Sequence, residues 1–267
     1  MADATTLIEA EAAVAESNEE REQVSIWEYV ESLLVTILLA LFLTTFVVQS
    51  FKIPSQSMEP TLLVGDHLLV NKFIFGGTGA WYEKLLPYRA IRHGDIIVFR
   101  FPYDDHPYYV KRVIGLPGDA VRIVDQQVFV NGQLLNEPYV VHDPTVPYDP
   151  FGDTFPPTTS RYMLRSVVRP EWADQILDHV SNGELIVPPG KYFVMGDNRD
   201  RSSDSRFWGF VDRTAIMGGP VVIYWSIDST EDLSEEESFG VRMREMADTL
   251  MHLPSRTRWH RMFHQVR

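Results

Sequence analysis

Cysteine is absent from this chain of 267 residues. Disulfide frameworks, thiolate catalysis and cysteine-ligated metal sites are therefore excluded. Positive charge is also scarce, because 24 lysines and arginines stand against 37 aspartates and glutamates, and the formal net charge is −13. A nucleic-acid-binding domain needs a basic surface. The composition therefore argues against nucleic acid as a partner.

Negative charge is concentrated at the amino terminus. Residues 1–31 hold nine acidic residues and one basic residue, so the rest of the chain is only mildly acidic. Residues 1–25 are rich in alanine and glutamate and contain few large apolar side chains, which predicts a solvated acidic tail. With 45% hydrophobic residues, the chain can fill one large core or two small ones.

The longest apolar stretch directly follows this tail. Residues 32–51 form a run of 20 without a charged side chain. At about 1.5 Å per residue, a helix of this length spans roughly 30 Å, the thickness of a bilayer core. With Trp27 and Tyr29 at its edge, we predict a transmembrane helix over residues 26–51, a buried core helix being the alternative. The flanking charges leave its orientation open.

Beyond residue 51, short segments rich in valine, isoleucine, phenylalanine and tyrosine alternate with turn residues. This pattern predicts a β-rich domain over residues 52–137 and 189–228, with local antiparallel pairing. Asn131-Gly132 predicts a tight hairpin, because both positions tolerate positive φ. The predicted strands are residues 67–70, 95–99, 108–114, 121–130, 191–195 and 220–225.

Residues 138–188 interrupt the strand pattern. The part up to residue 165 is rich in proline, tyrosine and phenylalanine and predicts an extended insertion over the sheet. Pro170 then begins a predicted helix that ends at Asn182-Gly183, with apolar residues at four-residue spacing. These residues are Trp172, Ile176 and Val180.

The tail over residues 229–267 has a different character. Ser234 and Glu237 form a capping-box pattern before a predicted amphipathic helix, which Pro254 ends. A basic segment containing tryptophan and phenylalanine follows. Either the tail packs on its own domain, or it self-associates or lies on anionic lipid.

Two serines, Ser55 and Ser57, stand directly after the apolar run. The chain has no Gly-x-Ser-x-Gly elbow and no His-Glu-x-x-His zinc motif, and its histidines are scattered. We predict that Ser57 is a nucleophile with a base other than histidine. Lysine can serve when burial keeps its amine neutral. Lys111 shares one strand face with apolar neighbours while Arg112 points the other way, although a solvent-facing lysine is the alternative.

Five sequence blocks occur in order and identify a resemblance. They resemble those of bacterial type I signal peptidase, a membrane-bound Ser/Lys protease that removes signal peptides from exported proteins. The resemblance covers about residues 26–226. The blocks are PSQSMEPTL at 54–62, GD at 65–66, GDIIVF at 94–99, KRVIGLPGD at 111–119 and GDNRDRSSDSRFWG at 196–209.

The resemblance implies a role for each matching residue. Ser57 matches the nucleophile and Lys111 the general base, while Ser55 matches a hydroxyl that joins the Ser57 backbone N–H in the oxyanion hole. Ser202 matches the serine that orients the lysine. The supporting positions are Asp197, Asp204 and Arg206, of which the last two match an ion pair.

The resemblance also implies a substrate and a location. The substrate is a preprotein with an Ala-x-Ala pattern before the cut, which requires two shallow apolar pockets, and the lipid bilayer is a second partner. The catalytic domain is expected outside the cytoplasmic membrane, with the amino terminus in the cytoplasm. No cofactor or metal is implied. The pocket-lining positions match or adjoin Ile53, Pro54, Met58, Leu62 and Val110.

Some features depart from the family pattern. Arg201 stands where the family commonly has asparagine. Residues 138–188 and the tail lie outside the motifs, so no function is implied for them.

The alternative from another functional class is a non-catalytic, membrane-anchored β-domain that binds extracellular polypeptide through a sheet edge.

Overall fold

The computed structural model describes residues 26–75, 88–101, 108–228 and 255–266. The chain divides into two compact units, Met1–Val47 and Val48–Arg267. In the first unit, helix α1 spans Ile26–Phe42 and continues as a π-helix over Leu43–Val47. Within the described ranges, no helix is both long enough and apolar enough to cross a membrane.

The second unit is mainly antiparallel β-sheet, as the sequence predicts. Its short α-helices are α2 (Arg161–Leu164), α3 (Pro170–Gln175) and α4 (Ser205–Trp208). Its strands are β1 (Val48–Lys52), β2 (Asp66–Asn71), β3 (Ile96–Arg100), β4 (Tyr108–Gly115), β5 (Ala120–Val124), β6 (Gln127–Val130), β7 (Gln133–Leu134), β8 (Val180–Ser181), β9 (Glu184–Ile186), β10 (Lys191–Met195), β11 (Val211–Asp212), β12 (Ile216–Ser226) and β13 (His264–Gln265).

Two sheets organise these strands. The larger one has the order β1-β2-β12-β3-β4-β10-β11, with β13 paired to β12. The smaller one has the order β7-β6-β5-β9-β8. The strands predicted at residues 67–70, 95–99, 108–114, 191–195 and 220–225 correspond to β2, β3, β4, β10 and β12, and all five are confirmed.

The predicted helix over residues 26–51 differs from the structure at its carboxyl end. Residues Val48–Lys52 form β1 and pair with β2 at five successive positions. A neighbouring strand thus satisfies the backbone groups that a continued helix would have paired internally. The hydropathy of the sequence does not show where the helix gives way to the strand, because β1 continues the uncharged composition of the run up to Phe51. The transmembrane assignment stays a prediction.

The strand predicted over residues 121–130 is wrong, because a turn divides it. Strands β5 and β6 form a hairpin through Asp125 and Gln126, whose φ angles are 47° and 69°. Apolar alternation continues on both sides of this turn, so periodicity alone does not locate it. The hairpin at Asn131-Gly132 is confirmed, with φ angles of 52° and 75°.

The helix predicted from Pro170 is wrong in its second half. Helix α3 ends at Gln175 and is followed by a 3-10 turn over Ile176–His179. Val180 belongs to β8, and Asn182-Gly183 turns the chain into β9 with positive φ at both residues. The helical spacing of apolar residues arises because a helix, a 3-10 turn and a strand all face one core.

Residues 138–188 share that core rather than only lying over a sheet. Trp172 and Leu164 are 3% and 0% exposed and pack with residues of β5, β6 and β10. Phe155 exchanges two backbone hydrogen bonds with Ile123 of β5, at 2.6 and 3.0 Å. The segment is therefore an integral part of the second unit.

The predicted amphipathic helix of the tail lies in residues 229–254, outside the described residues. The basic segment that follows it, residues 255–266, is described. Its strand β13 pairs with β12, and Arg261 forms an ion pair with Asp66. This part of the tail therefore packs on its own unit.

Candidate active site

The loop between β1 and β2 carries both predicted serines. A 3-10 turn over Gln56–Met58 places Ser57 at 7% exposure, whereas Ser55 at the start of the turn is exposed. Met58 anchors the turn, since its side chain is 1% exposed in the hydrophobic cluster below. The Asn198 N–H donates to the Ser57 carbonyl oxygen at 3.2 Å. This bond joins the serine turn to the loop that follows β10.

Lys111 lies on β4 and points at Ser57. Its Nζ donates to Ser57 Oγ at 2.6 Å, and the residue is 4% exposed. Burial lowers the pKa of the Lys111 amine to about 8, although the negative charges of Asp204 and Asp197 act against this shift. The solvent-facing alternative is therefore wrong. A lysine with this pKa has about a tenth of its population neutral at pH 7, and the neutral amine can accept the Ser57 proton.

Arg112 points away from Lys111, as predicted, and enters a second buried cluster. Its Nε and Nη2 donate to the two carboxylate oxygens of Asp197 at 2.8 and 2.7 Å. Thr61 Oγ1 donates to the same carboxylate at 2.6 Å, and the Tyr139 ring centroid lies 3.8 Å from the guanidinium carbon. Neither Arg112 nor Thr61 is among the site residues predicted from the sequence. The signal for Arg112 was its position in a strand that is apolar on both faces.

Asp204 and Arg206 form the ion pair that the resemblance implies. They are 0% and 3% exposed, and Arg206 Nε donates to Asp204 Oδ1 at 2.9 Å. Burial is the largest influence on the Asp204 carboxyl and acts to raise its pKa, but the Arg206 charge and the hydrogen bonds to the carboxylate together outweigh burial and hold the pKa below its ordinary value. Asp204 also accepts from the Gly196 N–H at 3.2 Å. The pair therefore fixes the loop beside Lys111.

Ser202 and Ser55 lie near the dyad, but neither makes the short hydrogen bond that its predicted role requires. The Ser202 hydroxyl is buried beside the Asp204 carboxylate and helps to lower the pKa of that carboxyl, but within the described residues no hydrogen bond of good geometry joins it to Lys111. Ser55 Oγ lies 3.4 Å from Ser57 Oγ, which is long for a hydrogen bond between hydroxyls. Orientation of Lys111 by Ser202 and oxyanion binding by Ser55 stay predictions.

Gly196 lets the two loops approach each other. A Cβ atom at this position would lie 2.3 Å from the Ser57 carbonyl oxygen and 2.4 Å from Ser202 Oγ. Real Cβ atoms do not make contacts this short. The glycine is therefore required by the close contact between the serine turn and the 196–206 loop.

The predicted pocket-lining residues lie beside the dyad but differ in exposure. Ile53, Met58 and Leu62 are buried in one hydrophobic cluster, and Val110 is partly buried against it. Pro54 is exposed. With 0% exposure, Leu62 contributes packing beneath the loop in this structure. Contact of these residues with a substrate stays a prediction.

One group of potential metal ligands occurs in the described part of the chain, comprising His142, Asp153 and Asp200. Their ligand atoms lie within 4.8 Å of one another. His142 Nδ1 and the Asp143 N–H already contact the Asp200 carboxylate at 3.1 and 2.6 Å, and the Asp149 N–H donates to Asp153 at 2.8 Å. Hydrogen bonds within the protein thus account for the approach of these side chains, and we assign no metal here.

Comparisons with known proteins show which family the sequence of this chain matches. The family model described as "Signal peptidase, peptidase S26" matches residues 26–225. Signal peptidase I of Pseudomonas aeruginosa is 38% identical over 183 residues, which cover 68% of this chain and 62% of that protein. Signal peptidase I of Aquifex aeolicus is 36% identical over 234 residues, which cover 77% of this chain and 86% of that protein.

A solved structure is also similar in sequence. A signal peptidase I from Enterococcus faecalis is 31% identical, and the match covers 49% of this chain and 97% of that one. Its TM-score of 0.35 is too low to support a structural argument. The chain spans about 62% of the length of the Pseudomonas relatives. The family match over residues 26–225 nevertheless places this chain in the signal peptidase family, peptidase S26.

Proposed function

We propose that the protein is a membrane-bound serine endopeptidase that removes signal peptides from exported preproteins after a motif of the Ala-x-Ala type. The observation that carries this proposal is the 2.6 Å hydrogen bond from Lys111 Nζ to Ser57 Oγ at a buried site. A nucleophile and a base within hydrogen-bond distance are the central requirement of covalent catalysis. The names of the relatives support the substrate class.

In the proposed mechanism, neutral Lys111 takes the proton from Ser57 Oγ as that oxygen attacks the scissile carbonyl carbon. The Ser57 backbone N–H and the Ser55 hydroxyl stabilise the tetrahedral oxyanion. Lys111 then protonates the departing amine, leaving an acyl-enzyme on Ser57. A water molecule, deprotonated by Lys111, hydrolyses this ester. Ser202 orients the lysine amine through these steps.

The substrate is proposed to bind as an extended strand, which presents alternate side chains to two shallow pockets. Ile53, Pro54, Met58, Leu62 and Val110 are the residues proposed to form or support their walls. The charge-free and helical residues 32–47 support a single membrane anchor. The resemblance to the family, rather than the charges, supports an amino terminus in the cytoplasm and a catalytic unit outside the cytoplasmic membrane.

Cleavage assays with full-length protein in detergent or lipid test the proposal. The wild type is expected to cut several unrelated preproteins after Ala-x-Ala motifs, and Ser57→Ala is expected to cut none. Ser203→Ala, an exposed serine in the 196–206 loop, serves as the control and is expected to retain activity. Cleavage by Ser57→Ala at the wild-type rate would reject the proposal. Cleavage of one preprotein alone would indicate an enzyme dedicated to a single substrate.

The rate is expected to depend on pH through Lys111. Because the pKa of its amine is lowered to about 8, the neutral fraction should rise about tenfold per pH unit below that value and level off above it. The measurement is kcat/KM for preprotein cleavage between pH 5.5 and 10. A flat profile over this range would contradict the assignment of Lys111 as the base.

Substitution of Gly196 is expected to lower activity although it leaves the side chains of Ser57 and Lys111 unchanged. In Gly196→Ala the new Cβ would collide with the Ser57 carbonyl oxygen and with Ser202, so the serine turn must move away from the 196–206 loop. A displacement of about 1 Å can reduce a rate about 100-fold, and we expect a loss of that order in kcat. A wild-type kcat in Gly196→Ala would show that this contact is not needed.

A further inference from the structure

The described end of the tail touches the loop that carries the nucleophile. Arg261 Nη2 donates to Asp66 Oδ2 at 2.6 Å and to the Thr61 carbonyl oxygen at 3.0 Å, and Arg261 Nε approaches Asp66 Oδ1 at 3.2 Å. Asp66 is 0% exposed. Arg258 adds a bond from Nη1 to the Val64 carbonyl oxygen at 3.0 Å. Two arginines of the basic segment therefore bind the second half of the loop.

The segment itself is firmly attached to the sheet. Strand β13 pairs with β12, and the Phe263 N–H donates to the Ile223 carbonyl oxygen at 2.7 Å. The Arg258 N–H donates to the Ser226 carbonyl oxygen at 2.9 Å. The guanidinium of Arg261 thus projects from a backbone that is hydrogen-bonded to the larger sheet.

A chain of contacts continues from Arg261 to the dyad. Thr61, whose carbonyl oxygen binds Arg261, donates through Oγ1 to Asp197 at 2.6 Å. Asp197 binds Arg112, the strand neighbour of Lys111. On the other side, the Leu62 N–H donates to the Met58 carbonyl oxygen at 2.9 Å, next to Ser57. Arg261 therefore holds the loop four residues from the nucleophile.

We infer that Arg261 is a positioning residue, through which the carboxyl-terminal segment 255–266 holds the nucleophile loop and keeps Ser57 Oγ against Lys111 Nζ. The inference rests on the proposed function for its catalytic consequence. The Thr61 carbonyl oxygen lies in irregular loop backbone, and Arg261 supplies it with a donor from outside the loop. A planar guanidinium supplies several fixed donors, whereas a lysine supplies one nitrogen and cannot reproduce the fork.

The test compares full-length wild type, Arg261→Met and Arg261→Lys. Active sites are titrated with a serine-acylating reagent, and kcat is calculated per titrated site. We expect Arg261→Met to lower kcat per site by about tenfold or more with KM within about threefold, and Arg261→Lys to recover only part of the loss. Arg122→Met, which removes an exposed arginine stacked on Phe129 in the smaller sheet, is the charge-matched control and should not change kcat.

A second measurement does not depend on activity. In the Ser57→Ala background, we expect amide hydrogen exchange across residues 58–66 to be at least tenfold faster in Arg261→Met than with Arg261 intact, while exchange in β5 stays unchanged. If exchange is faster in Arg261→Met but the wild-type enzyme cleaves no preprotein, the proposed function is rejected, whereas the role of Arg261 in holding the loop is retained. Unchanged exchange, or a loss of titratable sites with wild-type kcat per site, would overturn the inference. If Arg261→Met fails to fold, Arg261→Lys decides between these outcomes by the same two measurements.

Discussion

Replacing Lys111 with methionine is expected to reduce kcat for preprotein cleavage by at least about 10⁴-fold, the range seen when a base that acts as a unit with its serine is removed. Methionine fills a similar unbranched volume and cannot accept the Ser57 proton. The rate is measured in single-turnover assays at pH 8.5, where most of the wild-type lysine is neutral. Burial of an amine is costly, so the variant should unfold at the wild-type temperature or above it.

The matched control for this variant is Lys191→Met. Lys191 also lies on a strand, but it is half-exposed and pairs with Asp212 at the edge of the sheet. We expect it to retain wild-type activity. If Lys111→Met kept its rate within tenfold of the wild type, Ser57 would need another base, and the proposed mechanism would be rejected.

Asp197→Asn is expected to have the largest effect on stability. The substitution leaves the Arg112 guanidinium, 3% exposed, without the carboxylate that accepts two of its hydrogen bonds. Breaking a buried ion pair at one partner costs about 3–5 kcal/mol. Urea unfolding should show a loss of this size. Because the Asp197 charge acts to raise the pKa of Lys111, the acidic limb of the rate profile should also move to lower pH.

The comparison with an exposed pair isolates the effect of burial. Asp212→Asn breaks the ion pair with Lys191, in which the side chains are 58% and 39% exposed. Exposed pairs contribute about 1 kcal/mol or less, so this variant should unfold close to the wild type. Equal losses in Asp197→Asn and Asp212→Asn would contradict a special role for the buried pair.

The sequence predicts the fold best where short-range pattern and tertiary contact agree. β2, β3, β4, β10 and β12 coincide with apolar, β-branched segments, and the Asn131-Gly132 turn follows from the φ angles that these residues tolerate. The predictions fail where local pattern is ambiguous. The apolar alternation of residues 121–130 continues through the Asp125-Gln126 turn, and Val180 extends a helical spacing although it lies in a strand.

The site shows the same division. Ser57 and Lys111 were predicted from motifs at the end of an apolar run and in an apolar strand, and the structure brings their side chains together. The ion pairs of Arg112 and Arg261 were not predicted, because the partners are far away in the chain. Asp197 lies 85 positions from Arg112, and Asp66 lies 195 positions from Arg261. The apolar strand around Arg112 indicates that its side chain is buried, but no local pattern identifies the distant carboxylate that pairs with it.

The nucleophile can be identified most directly by mapping an acyl-enzyme. An activated peptide ester with alanine at the cleavage position would be mixed with full-length protein, quenched in acid within one turnover, and digested for tandem mass spectrometry. The acyl group is expected on Ser57, with Ser55, whose Oγ lies 3.4 Å away, unmodified. No adduct should form at this position in Lys111→Met within the same time. An acyl group on Ser55, or on any residue other than Ser57 in active enzyme, would contradict the Ser57/Lys111 dyad.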